Sequence, residues 1–117
     1  TLIASQNSPY GIAVDGTYVY WSNGGYGAND ASLNKMPLAG GTATPLLTGL
    51  ANGGTVRVDA TGVYVIDTYT GIRKVPLCGG SPILIVPDTN YIDDMVVSSN
   101  SVIFVRESNG DIRYATK

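Results

Sequence analysis

The side chains of this chain that could do chemistry are mostly tyrosines, asparagines and aspartates in glycine-rich stretches between apolar runs. Tyrosine rings stack on sugars and apolar surfaces, and amide and carboxylate groups hydrogen-bond to hydroxyls and peptide groups, so the combination suits a sugar, a peptide or another protein. The candidate ligand-binding residues are Tyr10, Asn23, Tyr26, Asn29, Asp30, Asn52, Asp67, Tyr69, Tyr91 and Asp93. The alternative interpretation is that Asn, Asp and Gly only make turns and that the tyrosines cover strand edges.

Catalytic chemistry is restricted because none of the 117 residues is a histidine. Without imidazole, a Ser-His-Asp triad, a Cys-His dyad and a histidine metal site cannot form within the chain. Asp93 and Asp94 are adjacent, and adjacent strand residues point to opposite faces, so they are unsuited to joint acid-base work. The single Cys78 can form no internal disulfide and is interpreted as a small apolar turn residue. We therefore predict no catalytic residue and no cofactor.

Oxygen ligands for a hard cation occur at residues 22–31, where Asn23, Asn29 and Asp30 lie close together in sequence. Their spacing matches no calcium-binding loop. We therefore predict no metal site.

The charge of the chain and the length of its apolar runs exclude two classes of partner. The net charge is −2 and no run of Lys or Arg occurs, whereas binders of nucleic acid or anionic membranes carry a basic patch. The longest apolar runs, such as residues 83–86, are far below the roughly 20 residues that span a bilayer. We predict neither a nucleic-acid partner nor membrane insertion. Charged residues make up only 14% of the chain and glycines number 15, which favours many short strands and turns.

Internal repeats are present, and a fixed period of 20–50 residues decides the fold. Residues 12–21 recur as 56–65, an offset of 44, with a weaker third copy at 95–104. Residues 35–41 return as 74–80, an offset of 39. The difference between the two offsets places an insertion of five residues within 22–32 of the first unit.

Each unit is predicted to form four short strands, because β-branched and aromatic runs alternate with Gly, Asn, Asp and Pro. The predicted strands are 11–15, 17–22, 32–36 and 43–48, then 55–59, 62–67, 71–75 and 82–86, then 94–98, 101–106 and 111–115. The third unit ends before its fourth strand. Residues 1–5 resemble the segments that precede the second and third units, so we predict a displaced fourth strand that pairs with 111–115, within one chain or across two.

Four-stranded units of about 40 residues without helices are typical of β-propeller blades. The run PYGIAVD at 9–15, followed by VYWSN at 19–23, resembles the signature of YWTD propellers of low-density-lipoprotein-receptor-like proteins, and of the neighbouring NHL and TolB-like groups. That resemblance implies a six-bladed ring. The Pro-Leu-x-Gly-Gly block is similar to bacterial repeat proteins, myxobacterial ones among them, which implies an exported or cell-envelope bacterial protein.

We therefore predict an all-β fold in which residues 1–117 form a single β-propeller portion. Its three four-stranded antiparallel blades lie at about 11–48, 55–86 and 94–115, with residues 1–5 completing the last. Three blades cannot close a ring, and their outer faces would expose apolar surface. Two copies about a two-fold axis would supply six blades, as would missing blades from elsewhere. The start without Met and the end before a third Pro-Leu-x-Gly-Gly block favour a fragment or excised half over a natural subunit.

The predicted architecture positions the candidate residues. In a propeller, the loops from strand four to strand one and from strand two to strand three share one face, where ligands usually bind. The ten candidates come from these loops, and the insertion within 22–31 adds length that the fold does not require. Arg57, on the innermost strand of the second unit, is predicted to line the central channel, where it could bind an anion or pair with a carboxylate.

The function predicted from the sequence is a non-catalytic scaffold that binds a protein, peptide or glycan on its loop face. The alternative is a part of a six-bladed propeller enzyme, of lyase, lactonase or hydrolase type, whose catalytic residues lie in absent blades. A third interpretation is a designed or excised piece without a function of its own. Because propellers host many unrelated activities, the resemblance alone does not choose among these.

Overall fold

The structure is a computed structural model that describes residues 1–25, 29–77 and 81–117. Apart from one 3-10 turn at Glu107–Asn109, the regular elements of the described residues are strands. They are β1 (Pro9–Val14), β2 (Tyr18–Asn23), β3 (Ala31–Pro37), β4 (Thr44–Leu50), β5 (Gly53–Val58), β6 (Gly62–Asp67), β7 (Gly71–Pro76), β8 (Ile83–Pro87), β9 (Asp94–Val97), β10 (Ser101–Arg106) and β11 (Asp111–Thr116).

The strands form three antiparallel sheets in sequence order, β1-β2-β3-β4, β5-β6-β7-β8 and β9-β10-β11. The all-β fold of propeller blades predicted from the sequence is confirmed. Pairing registers also repeat, since β1 and β2 shift between Pro9 and Ile12, and β5 and β6 shift between Gly53 and Val56. The first and second sheets are therefore two copies of one blade.

Successive blades pack face to face, with an apolar core between each pair. Between the first and second blades lie Tyr20, Leu33 and the valines of β5 and β6. Between the second and third blades lie Tyr64, Ile72, Met95, Val102 and Phe104. The strand alternation explains this arrangement, because successive side chains point to opposite faces and a blade with two neighbours must be apolar on both. Every residue of β6 is accordingly buried.

The turn between the first and second strands is the same in all three blades. Asp15 Oδ1 accepts the backbone N–H groups of Thr17 and Tyr18, at 2.7 and 2.8 Å. Asp59 Oδ1 does the same for Thr61 at 2.8 Å and Gly62 at 3.1 Å. In the third blade the Oγ of Ser98 accepts the N–H of Ser101. These side chains therefore stabilise the turns between the first and second strands of the blades.

The first strands β1, β5 and β9 lie beside one another. Their spacing requires glycine at position 11, where a Cβ atom would lie 2.3 Å from the carbonyl oxygen of Gly54 and 2.7 Å from the nitrogen of Val56. Backbone therefore contacts backbone where the first two blades meet.

The N-terminal segment differs from the prediction. Residues 1–8 form no strand, and β11 pairs only with β10, so the third sheet has three strands in this single chain. The segment lies instead on the outer face of the first blade, where Ile3 packs against Val19, Trp21 and Met36. The physical reason is distance along the row of blades, because β11 belongs to the blade farthest from β1. Pairing within one chain is therefore wrong, and pairing across chains stays a prediction.

None of the described residues belongs to a helix that is long and apolar enough to cross a membrane.

Candidate functional site

A pocket of about 250 Å³ lies on the loop face, between the ends of the three blades. It is formed by the loops that enter β1, β5 and β9 and by those that leave β2 and β6. The lining residues are Ser8, Tyr10, Gly24, Gly25, Asn52, Gly53, Gly54, Thr68, Tyr91, Ile92 and Asp93. Four of the predicted residues therefore come together here, namely Tyr10, Asn52, Tyr91 and Asp93. We call this cavity the loop-face pocket.

Tyr91 lines the loop-face pocket and contacts a second tyrosine outside the lining. The ring of Tyr91 meets that of Tyr69 edge to face, with centroids 5.8 Å apart, a favoured geometry for aromatic pairs. Partial burial raises the pKa of the Tyr91 hydroxyl, and the neighbouring Tyr10, Asp93 and Tyr69 add to that shift. The hydroxyl therefore stays protonated at neutral pH and can donate a hydrogen bond. Tyr10 also lines the pocket and is exposed.

Two polar side chains of the loop-face pocket are fixed by backbone contacts. The carboxylate of Asp93 accepts the N–H of Glu107 at 2.6 Å, which ties the entry to β9 to the loop after β10. Asn52 Oδ1 accepts the N–H of Gly25 at 3.3 Å, across the first and second blades. Both contacts join two loops, so the polar groups are positioned before any ligand binds.

Glycines that the sequence analysis did not single out line much of the loop-face pocket. A Cβ atom at Gly53 would lie 2.6 Å from the carbonyl oxygen of Asn23. Small residues here leave backbone groups accessible that larger side chains would cover. The sequence signal that could have marked these glycines is their occurrence as adjacent pairs at 24–25 and 53–54. Ser8, Thr68 and Ile92 also line the pocket, and no motif marks them.

Two predicted site residues serve a different purpose, because they anchor the loops that enter their own blades. Asp67 is 1% exposed. Its Oδ1 accepts hydrogen bonds from the N–H groups of Ala51 and Asn52. Its Oδ2 forms an ion pair with Arg73 at 3.1 Å. Asn23 holds the same position in the first blade, and its Nδ2 donates to Gln6 Oε1. Both therefore anchor the loop that enters their own blade.

The third blade achieves the same anchoring with opposite charge. Arg106 occupies the position of Asp67, is buried, and pairs with Asp88 at 2.9 Å and with Asp111. Asp88 lies just after β8, in the loop that enters the third blade. This position therefore anchors the entering loop in each blade, although the side chain that does so differs.

The remaining candidates lie apart from the loop-face pocket. Asn29 and Asp30 are exposed and are not among its described lining residues, while Tyr26 falls outside the described residues. Arg57 lies on β5 and pairs with Asp94 of β9 at 3.0 Å. Asp94 is thus a carboxylate partner of the kind expected for Arg57. That Arg57 lines a central channel stays a prediction. Within 1–25, 29–77 and 81–117, no group of three or more His, Cys, Asp or Glu residues could hold a metal ion.

Comparison with known proteins identifies the fold and not the family. No family model matches the sequence, and no curated protein matches it. Among solved structures, the chain is similar to one in the crystal structure of a nidogen/laminin complex, with a TM-score of 0.81 and 12% identity. The match covers 95% of this chain and 44% of the other, so this chain spans less than half of that neighbour's length. The likeness supports a β-propeller-like fold.

Proposed function

We propose that this chain is a non-catalytic binding scaffold that holds a polypeptide segment in the loop-face pocket. The observation that carries the proposal is the convergence of Tyr10, Asn52, Tyr91 and Asp93 around a glycine-lined cavity. Tyrosines supply rigid apolar area at a low cost in conformational entropy, and fixed amide and carboxylate groups pair with peptide N–H and C=O groups. The likeness to a chain of a protein complex is compatible with a polypeptide ligand.

The proposal includes the finer assignment of the repeats. The blades are proposed to be of the YWTD or NHL type found in bacterial proteins, and the complete molecule is proposed to be a ring of six blades. A second copy of the chain, or further blades, would supply the missing half. The loop-face pocket itself is formed within one copy.

The proposal is tested by selecting peptides from a phage-displayed library on the immobilised protein and measuring their affinity by fluorescence polarisation. Tyr91→Ala should weaken binding about tenfold or more, because an aromatic anchor that the ligand covers contributes on the order of 1–2 kcal/mol or more. Asn100→Ala, in the exposed turn between β9 and β10 at the opposite end of the blade, is the control and should leave the affinity unchanged.

Two results would contradict this proposal. Failure of the library to enrich any peptide, or affinity that is unchanged in Tyr91→Ala, would remove the polypeptide function from the pocket. Binding on a glycan array that is lost in Tyr91→Ala would replace the polypeptide by a glycan.

A further inference from the structure

The two outer faces of the row of blades are apolar, although the equivalent inner faces are buried. Ile112 pairs with Val105 as Ile72 pairs with Ile66, yet Ile112 is 76% exposed and Ile72 is fully buried. At the other end, Ile12 is 68% exposed, whereas Val56, 44 residues later, is fully buried. The position within the blade therefore does not explain the difference in exposure. The exposed residues lie on faces that lack a neighbouring blade.

The outer face of the third blade presents Val96, Ile103, Ile112 and Tyr114, all exposed. The outer face of the first blade presents Ile12, Val14, Val19, Trp21 and Met36, of which the first two are exposed. The outer face of the third blade corresponds to the face that Tyr20 and Leu33 form between the first and second blades. The outer face of the first blade corresponds to the face that Val56 and Val63 form there. Each outer face is thus half of an interface that the chain already makes twice.

The N-terminal segment already lies where the fourth strand of a preceding blade belongs. The N–H of Gly24 donates to the carbonyl oxygen of Ser8 at 2.8 Å, and 44 residues later Thr68 donates to Asn52 at 2.9 Å. Residues 1–8 are therefore the structural equivalent of 45–52. Ile3 packs on the outer face of the first blade, as Leu47 of β4 packs in the core between the first and second blades.

A groove of about 550 Å³ is lined by both this segment and the first blade. Its lining includes Leu2, Ile3, Ile12, Val19 and Trp21. Between the first and second blades, the corresponding space is occupied by Tyr20 and Leu33 of the first blade, beneath Leu46 and Leu47 of β4. The groove therefore has the place and lining expected for the first three strands of a preceding blade.

We propose that the third blade of a second copy occupies this groove, and that residues 1–5 of the first copy become the fourth strand beside β11 of the second. Ile103 and Ile112 of the second copy take the places of Tyr20 and Leu33. A two-fold axis generates the interface twice and closes a ring of six blades with no end face. This inference deepens the assembly part of the proposed function and does not depend on the ligand.

The two faces are also compatible in charge. Both are made of uncharged residues in their centres, and Asp94 at the margin of the third blade is already paired with Arg57. No unpaired charge is therefore buried when the faces meet, which would be costly. Exchange of residues 1–5 also pairs the open edge of β11, and an unpaired edge strand otherwise invites aggregation.

The first test is the mass in solution, measured by light scattering over a concentration series. We expect twice the 12.2 kDa of one chain. Ile112→Glu places a charge in the closing interface and should yield the single-chain mass with an unchanged far-ultraviolet circular dichroism spectrum. Ile83→Glu is the matched control, because Ile83 is also an exposed strand isoleucine but lies on β8, away from both outer faces. Equal masses for the two variants, or a single-chain mass for the unmodified protein, would overturn the ring.

The second test addresses the strand exchange by disulfide formation in a Cys78→Ser background. Asn34 pairs with Pro45 in the first blade, so the repeat places Thr1 of one copy opposite Arg113 of the other. Thr1→Cys with Arg113→Cys should oxidise to a covalent dimer on a non-reducing gel, whereas Thr1→Cys with Ser99→Cys should not. A dimeric mass without this disulfide, or a disulfide within one chain, would overturn the exchange while leaving the ring and the peptide-binding proposal separately testable.

Discussion

At the residue scale, the aspartates that stabilise the turns between first and second strands are also groups whose pKa the folded chain lowers. Tyr20 donates a hydrogen bond to Asp15 at 2.7 Å, and this contact lowers the pKa of that carboxyl despite some burial. Burial opposes ionisation of Asp59, but hydrogen bonds from Lys117, Thr61 and Gly62 outweigh it and lower its pKa further. Each carboxylate is thus held in its charged form by the folded chain.

Stability should therefore fall in acid. The unfolded chain binds protons at the ordinary carboxyl pKa of 3.8, while folded Asp15 and Asp59 bind them only at lower pH. Their stabilising contribution is fully present above the unfolded pKa and is lost as pH falls through the folded pKa. In urea titrations, Asp59→Asn should be less stable than the unmodified protein at pH 7 and lose less stability between about pH 5 and pH 3. Parallel pH profiles for the two proteins would contradict this account; Asp30→Asn, at an exposed site, is the control.

At the element scale, the strands could be predicted from the sequence because their residue pattern recurs two or three times. Gly, Asn and Asp at corresponding positions of the repeats mark the ends of β5 to β8 once β1 to β4 are recognised. The N-terminal segment could not be placed, because its resemblance to β4 does not say which blade supplies the neighbouring strand. The loop-face pocket was found only in part, since loops that are distant in sequence meet there and the glycines that line it resemble ordinary turn glycines.

The contact between β1 and β5 provides a prediction at this scale. Gly11→Ala should destabilise the chain by about 1–3 kcal/mol, because its Cβ would collide with backbone atoms of the second blade and force the strands apart. Gly16→Ala is the matched control, because nothing lies within 4 Å of a Cβ at that position. Urea denaturation followed by tryptophan fluorescence compares the two. Similar midpoints for the two variants would show that the first strands can separate without cost.

At the scale of the whole molecule, stability should be distributed unevenly along the row of three blades in a single chain. The second blade has a neighbour on each face and contains β6, which is buried throughout. The first and third blades each have one covered face, and β11 is paired on one side only. A blade is stabilised chiefly by its neighbours in such a repeat architecture.

Hydrogen exchange followed by mass spectrometry measures this distribution directly. In the single-chain Ile112→Glu variant, amides of β6 should exchange most slowly of all strands and amides of β11 should exchange quickly. Amides of β11 should exchange slowly in the unmodified protein, where the proposed dimer pairs them with the partner's segment. Equally slow exchange of β11 in both proteins would mean that its free edge is protected without a second copy.

The loop-face pocket has one further consequence, which follows from its position within a single half of the ring. In the proposed ring, a two-fold axis that coincides with the central axis places two identical pockets on the same face, so the assembled molecule would be bivalent. A ligand with two suitably spaced epitopes would engage both, and its avidity could exceed the affinity of either pocket by about 10²–10⁴. Dissociation into single chains would remove that gain without altering a single contact to the ligand, so protein concentration itself would control how tightly such ligands are retained.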